Sequence, residues 1–232
     1  MGTWRRLFFF AASLALVLAP PGIAGGVTYH GSLSWDTGLE ATDGWAAEGT
    51  EIEWWVTDFT SYFHYRYKFT LGGQGALSHA IIETTEDLFT TGSLWGVFYD
   101  GESVPVCAPW VEVGEHKGCD PNELPNPNMP ENVWGVKFAE FGEDNGVVEF
   151  YSSHVPVWKD VFCKDGKHGG EYATFWNKGF EIPDPTVGPL VEGSVDWHIL
   201  APDGTVPEPL TVLGLVLGMS SIGAYIRRRR MK

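Results

Sequence analysis

An all-β ectodomain, an antiparallel β-sandwich of jelly-roll-like type, is the fold class that this 232-residue sequence predicts. Three observations carry it. Apolar residues recur with period two in several separate segments, which is the signature of half-buried strands. Gly and Pro punctuate those segments at short intervals. No stretch before the C-terminal tail carries a helical period of comparable strength, so two stacked sheets are the natural way to bury the apolar faces.

The elements follow in order. Arg5 and Arg6 precede an apolar run over residues 7–19, then Pro20, Pro21 and Gly22, with small Gly22 and Ala24 at the −3 and −1 positions of a cleavage site. This is the order of a secretory signal peptide, residues 1–24, cut after Ala24. The ectodomain spans residues 25–200. Its alternation begins with Val27, Tyr29, Leu33 and Trp35 against Thr28, His30, Ser32 and Ser34. Ile52, Trp54 and Val56 follow against Glu51, Glu53 and Thr57, with Trp55 out of phase on the polar face. Phe63, Tyr65, Tyr67, Phe69 and Leu71 then oppose His64, Arg66, Lys68 and Thr70. Trp134, Val136 and Phe138 obey the same rule, and Asp144-Asn145-Gly146 predicts a hairpin turn into residues 147–151. Near the end, Val195, Trp197 and Ile199 alternate with Ser194, Asp196 and His198. Residues 120–132 and 184–189 read as loops, and residues 201–205 as a linker.

The tail is the most specific part of the chain. Val206, Pro207, Glu208 and Pro209 precede an apolar stretch over residues 210–226 and the basic run Arg227, Arg228, Arg229 and Arg230. As a transmembrane helix the stretch would span roughly 25 Å, with snorkelling arginines making up the remaining bilayer thickness. The arginines favour the cytoplasmic side, which sets the residues before 210 outside. Motif, helix and basic cluster in this order resemble the PEP-CTERM sorting signal of Gram-negative bacteria. The resemblance covers residues 206–232. It implies recognition and cleavage at the motif by a membrane enzyme, the exosortase. It also implies a membrane-anchored precursor delivered to the cell surface or to an extracellular matrix with exopolysaccharide. Residues 75–83, 155–160, 164–166 and 176–180 resemble segments of β-rich ectodomains of the same family, which implies an architecture and no chemistry.

Charge narrows the partners. The chain holds 15 basic and 30 acidic residues, but seven of the basic ones lie in the two terminal segments and only Glu208 of the acids does. The exported part therefore carries eight basic against 29 acidic residues, a net charge of −21. Nucleic-acid binding depends on clustered Lys and Arg and is excluded as a partner class, as is docking on anionic lipid. Cys107 and Cys119 bracket an eleven-residue segment that a disulfide could close in an oxidising compartment, with Cys163 left over to be buried or to pair with either.

Catalytic patterns are absent: no Gly-x-Ser-x-Gly, no His-Glu-x-x-His and no phosphate-binding Gly-Lys-Ser/Thr loop occurs. Ser78 and His79 are neighbours on a strand, so they point to opposite faces. Glu51 and Glu53 share a strand face about 7 Å apart, a glycosidase-like spacing, but such pairs are routine on solvated faces. The seven histidines show no ligand spacing, and no metal or cofactor is expected. Asp100-Gly101-Glu102 reads as a turn. Aromatics stand above background, with ten of the eleven tryptophans after the signal peptide. Trp55, Trp95, Trp110 and Trp158 are the candidate glycan-stacking rings. The sequence thus predicts a non-enzymatic exported surface or matrix protein. Its alternatives are a carbohydrate-binding module and an exported hydrolase, the latter requiring a cleft with two facing acids.

Overall fold

Antiparallel pairing accounts for every strand ladder among the described residues of the computed structural model, which are 26–204 apart from 74, 87, 89–92, 108, 119–125, 140, 142–144, 167–171 and 186–189. Strands are numbered along the chain. The first sheet runs β1 (Val27–Ser34), β3 (Glu51–Asp58), β4 (Phe63–Thr70), β10 (Asn145–Ser152), β6 (Leu94–Tyr99), β7 (Glu102–Val104). The second runs β2 (Leu39–Ala41), β13 (Thr174–Asn177), β12 (Val161–Asp165), β5 (Leu77–Glu83), β9 (Val133–Ala139), β8 (Val111–His116). A two-stranded ribbon joins β11 (Val155–Lys159) to β14 (Ile199–Gly204). The chain is all-β, and the only helical pieces described are two 3-10 turns, Asp43–Trp45 and Lys178–Glu181. No helix of the described residues is long and apolar enough to cross a membrane.

The two sheets close on one core, as alternation demands. Ile52, Trp54 and Val56 of β3 and Phe63, Tyr65, Tyr67 and Phe69 of β4 all point inward and are buried, while Glu51, Glu53, His64, Arg66 and Lys68 face out. Phe150 of β10 stacks on Tyr65 at 5.3 Å within its own sheet and on Phe138 of β9 at 5.4 Å across the interior. Two phenols in this core need partners, because an unpaired buried hydroxyl is costly. Tyr65 donates to the His154 carbonyl at 2.9 Å and Tyr67 to the Leu200 carbonyl at 2.8 Å. Burial pushes both hydroxyls well above the ordinary tyrosine range, so they stay neutral donors. These two bonds also tie the first sheet to the chain around β11 and β14.

Three expectations change. Residues 201–204 are part of β14 rather than a linker: Ala201 is fully buried and pairs with Val157, so the domain extends at least to Gly204. Asn145 and Gly146 open β10 itself, and β10 forms no hairpin with β9, because β9 lies in the second sheet while β10 pairs with β4 and β6 in the first. The alternation over residues 194–199 breaks at a tight turn closed by the Val195–His198 bridge, in which Asp196 (φ 47°) and Trp197 (φ 61°) are both left-handed. That turn reverses the phase, leaving Trp197 exposed and His198 fully buried. Left-handed backbone at two consecutive non-glycine residues is strained.

With six strands in each, the two main layers together hold twelve described strands, more than the eight of a simple jelly roll. Cys163 is buried in β12 as a free thiol. The pairing of Cys107 with Cys119 lies outside the described residues, as do the signal peptide with Ala24, the motif residues Val206 to Pro209, the apolar stretch 210–226 and Arg227 to Arg230.

An aromatic sheet face and a buried acid cluster

The outward face of the first sheet concentrates rings that the alternation assigned to its polar side. Strand register lines them up in two cross-strand rows. One row reads His30, Trp55, Arg66, Glu149, and the next Thr28, Thr57, His64, Tyr151, Trp95. Cross-strand neighbours on one face are close enough for rings to touch. His30 stacks on Trp55 at 4.9 Å, and the Arg66 guanidinium lies 4.6 Å from the same indole. The Glu149 carboxylate joins the rows, accepting from Arg66 Nε at 3.1 Å and standing 3.0 Å from His64 Nε2.

His64 stacks on Tyr151 at 4.8 Å, and Tyr151 faces Trp95 nearly parallel at 6.3 Å. Tyr62 meets both Trp95 and Tyr151 edge-on, and Phe59 stacks on Tyr62 at 5.1 Å. Gly96 makes this packing possible: its φ is 58°, and a Cβ there would stand 3.1 Å from the Tyr151 ring. Trp95 at 40% and Phe59 at 39% exposure are the rings offered to solvent.

The four candidate tryptophans separate. Trp95 stands on this platform. Trp55 is on it too, though His30 and Arg66 both lie against its ring. Trp110 packs edge-on against Tyr99 and the core, next to the edge strand β8 of the other sheet. Trp158 is buried at 4% in β11 and offers no face to a glycan, a correction that follows from β11 pairing with β14 over the core. Sequence reasoning missed Tyr62, Tyr151, His64 and Phe59. The out-of-phase position of Tyr151 beside Phe150 was the available signal.

A second constellation sits where β11 passes into β12. Lys159 reaches three carboxylates, Asp184 at 2.7 Å, Glu83 at 3.1 Å and Asp203 at 3.1 Å. Burial alone would lower the Lys159 pKa, but the Asp184 hydrogen bond and the charges of Glu83 and Asp203 outweigh it and hold the ammonium above its usual range. Asp160, next along, is buried; its backbone N–H donates to Glu83 at 3.3 Å, and its Oδ1 accepts from the Asn177 amide at 2.6 Å. Burial raises the Asp160 carboxyl to about 8; the Asn177 hydrogen bond opposes that, and the charges of Glu83 and Asp184 add to it. Glu83 is likewise raised by burial, against the pull of Lys159.

His198 closes the cluster, its Nε2 3.5 Å from Asp160 Oδ1 and 3.7 Å from Asp184 Oδ1. The fold thereby brings one of the scattered histidines onto two acids from distant segments, which no spacing along the chain displays. Glu83, Glu131, Asp160, Glu181 and Asp184 line a cleft of about 260 Å³ beside it.

The other sequence candidates are structural. His79 is buried against Asn126, Glu53 is paired with Lys68, and Asp100 turns the β6–β7 hairpin while accepting the Val147 N–H at 2.9 Å. Compared with known proteins, the chain matches no family model, and no curated protein or solved structure registers as similar to it.

Proposed function

We propose that this is an exported, non-enzymatic cell-surface or matrix protein whose first sheet binds polysaccharide through its aromatic face. The observation that carries the glycan part is the contiguous group Phe59, Tyr62, Tyr151 and Trp95, flanked by His64, Glu149 and Arg66. Rings present the flat apolar surface that sugar C–H faces stack on, and the ionic groups beside them supply donors and acceptors for hydroxyls. A net charge of −21 on the exported part makes a neutral or cationic glycan the better partner than an acidic one. The signal-peptide pattern and the tail resembling a PEP-CTERM signal support export, membrane anchoring of the precursor and handover to an exosortase.

Two results test this reading. On a glycan array the protein should bind a polysaccharide, and Trp95→Ala should weaken that binding by roughly tenfold to a hundredfold, the loss typical of a central aromatic contact. Trp158→Phe, in the core, should leave binding unchanged; a blank array, or equal loss in both variants, overturns it. In an exosortase-bearing host the mature protein should be shorter by about 2–3 kDa at its C-terminus, and an intact Arg230 tail there would defeat the sorting step. The acid-lined cleft supports a second reading, hydrolysis by facing carboxylates, and release of reducing ends from bound polysaccharide would favour it.

A further inference from the structure

We propose that Asp160, Asp184 and His198 bind one divalent transition-metal cation of the zinc–manganese class at the head of the acid-lined cleft. The argument begins with the tautomer of His198. Its Nδ1 lies 3.3 Å from the Val195 carbonyl, and a carbonyl can only accept, so Nδ1 carries the hydrogen in that contact. In the neutral ring Nε2 then presents a bare lone pair. It is fully buried, has no hydrogen-bond partner, and is aimed at two carboxylate oxygens. Three acceptors facing one another repel unless a proton or a metal cation stands between them.

The spacing suits an ion. One donor atom from each residue lies within 4.8 Å of the other two, so a single cation among them would stand on the order of 2–2.5 Å from each. The supports match those of metal ligands, whose remaining polar atoms are held by hydrogen bonds. His198 Nδ1 is fixed by Val195 and Asp184 Oδ2 is taken by Lys159, which leaves Asp184 Oδ1 toward the histidine, while Asp160 Oδ1, the oxygen nearest His198 Nε2, is oriented by the amide of Asn177. Charge points the same way. Glu83, Asp184 and Asp203 gather on the single ammonium of Lys159, and a divalent ion beside them offsets the acidic excess and draws the proton off Asp160.

Ligand chemistry selects the class. An imidazole with two carboxylates suits zinc or manganese, whereas calcium prefers an all-oxygen shell. The Asp184 side chain is 32% exposed and borders the cleft, which gives the ion an entry path and leaves positions for water. The backbone pays for this placement: strained Asp196 and Trp197 turn the chain so that His198 points inward. Gly179 leaves room for the ring, since a Cβ there would stand 2.6 Å from His198 Cε1. The bound ion would brace three segments, the β11–β12 junction, the stretch after the second 3-10 turn and the start of β14.

The test uses the full chain, stripped with chelator and titrated with ZnCl2, MnCl2 and CoCl2 by calorimetry and absorbance. Zinc should bind at one equivalent with a Kd of micromolar or tighter and raise the melting temperature, and cobalt should give visible d–d bands that saturate at one equivalent. Asp184→Asn, a partly exposed change that keeps the fold, should weaken zinc at least tenfold, as should His198→Ala. Gly179→Ala should weaken it by roughly 10–100-fold, the usual loss when a ligand's support is disturbed. Lack of zinc and manganese uptake at roughly 100 µM, a concentration that fills a micromolar site, would overturn the site and mark His198 as an ion-pair partner of Asp160. So would wild-type affinity in both Asp184→Asn and His198→Ala. Displacement of zinc by equimolar calcium would overturn the class of ion.

Discussion

Lys159→Met is expected to lower the unfolding free energy by about 3–5 kcal/mol, the cost of leaving buried charges without their partner. The side chain is 14% exposed and is the ammonium shared by Glu83, Asp184 and Asp203. Methionine keeps the length and apolar volume of the stem, so the change isolates the charge rather than opening a cavity. The three carboxylates would then repel, with only partial screening from the water that reaches the cleft. Lys68→Met provides the contrast. Lys68 also bonds a carboxylate, Glu53, but its side chain is 41% exposed, and such pairs contribute at most about 1 kcal/mol. Urea unfolding of both variants in chelator at neutral pH checks the pair. Comparable small losses would mean that water enters the cleft freely enough to solvate all three acids.

What was legible beforehand divides along the same line between local and distant information. Strands β3 and β4 could be read from the chain because period two is a local property: Ile52, Trp54, Val56, Tyr65 and Tyr67 point inward as their spacing requires. Trp95 was recognisable as a candidate, but its ring partners were not, since Tyr62 and Tyr151 reach it only through the β10–β4 and β10–β6 registers.

The acid cluster was illegible for a stronger reason. Glu83, Asp160, Asp184 and His198 are separated by many residues and meet only after the sheets have closed. At His198 the local rule also gave the wrong face, because it assumes an unbroken strand. Asp and Trp carry little of the turn signal that Asn-Gly would have given, so the reversal of phase at Asp196 and Trp197 left no mark in the sequence. Trp158 fails in the opposite sense. It lies close to Pro156 and the polar Lys159, yet the strand pairing of β11 with β14 buries it.

Acidification is expected to destabilise the protein through His79, by about 2–3 kcal/mol between about pH 7.5 and about pH 4.5. His79 lies in β5, buried, with Nε2 2.9 Å from Asn126 Oδ1. Burial lowers its pKa to about 4; the Asn126 hydrogen bond opposes this, while Lys137, Lys164 and His116 add to it. In the unfolded chain the ring titrates at its ordinary value near 6.5. Between those two values the unfolded state takes a proton that the folded state refuses, so stability falls as pH drops through that window and is unaffected by this group above it.

Carboxylates titrate in the same range, and Asp160 and Glu83, held high by burial, act in the opposite direction. The total slope therefore does not isolate His79, and the comparison must be with His79→Gln. Glutamine can still donate to Asn126 but cannot take the proton. Urea midpoints of the two proteins across that pH range should diverge, the wild type losing ground on the variant as pH falls. Parallel curves would show that the folded protein accepts the proton at His79 and that β5 is wetter there than its burial implies.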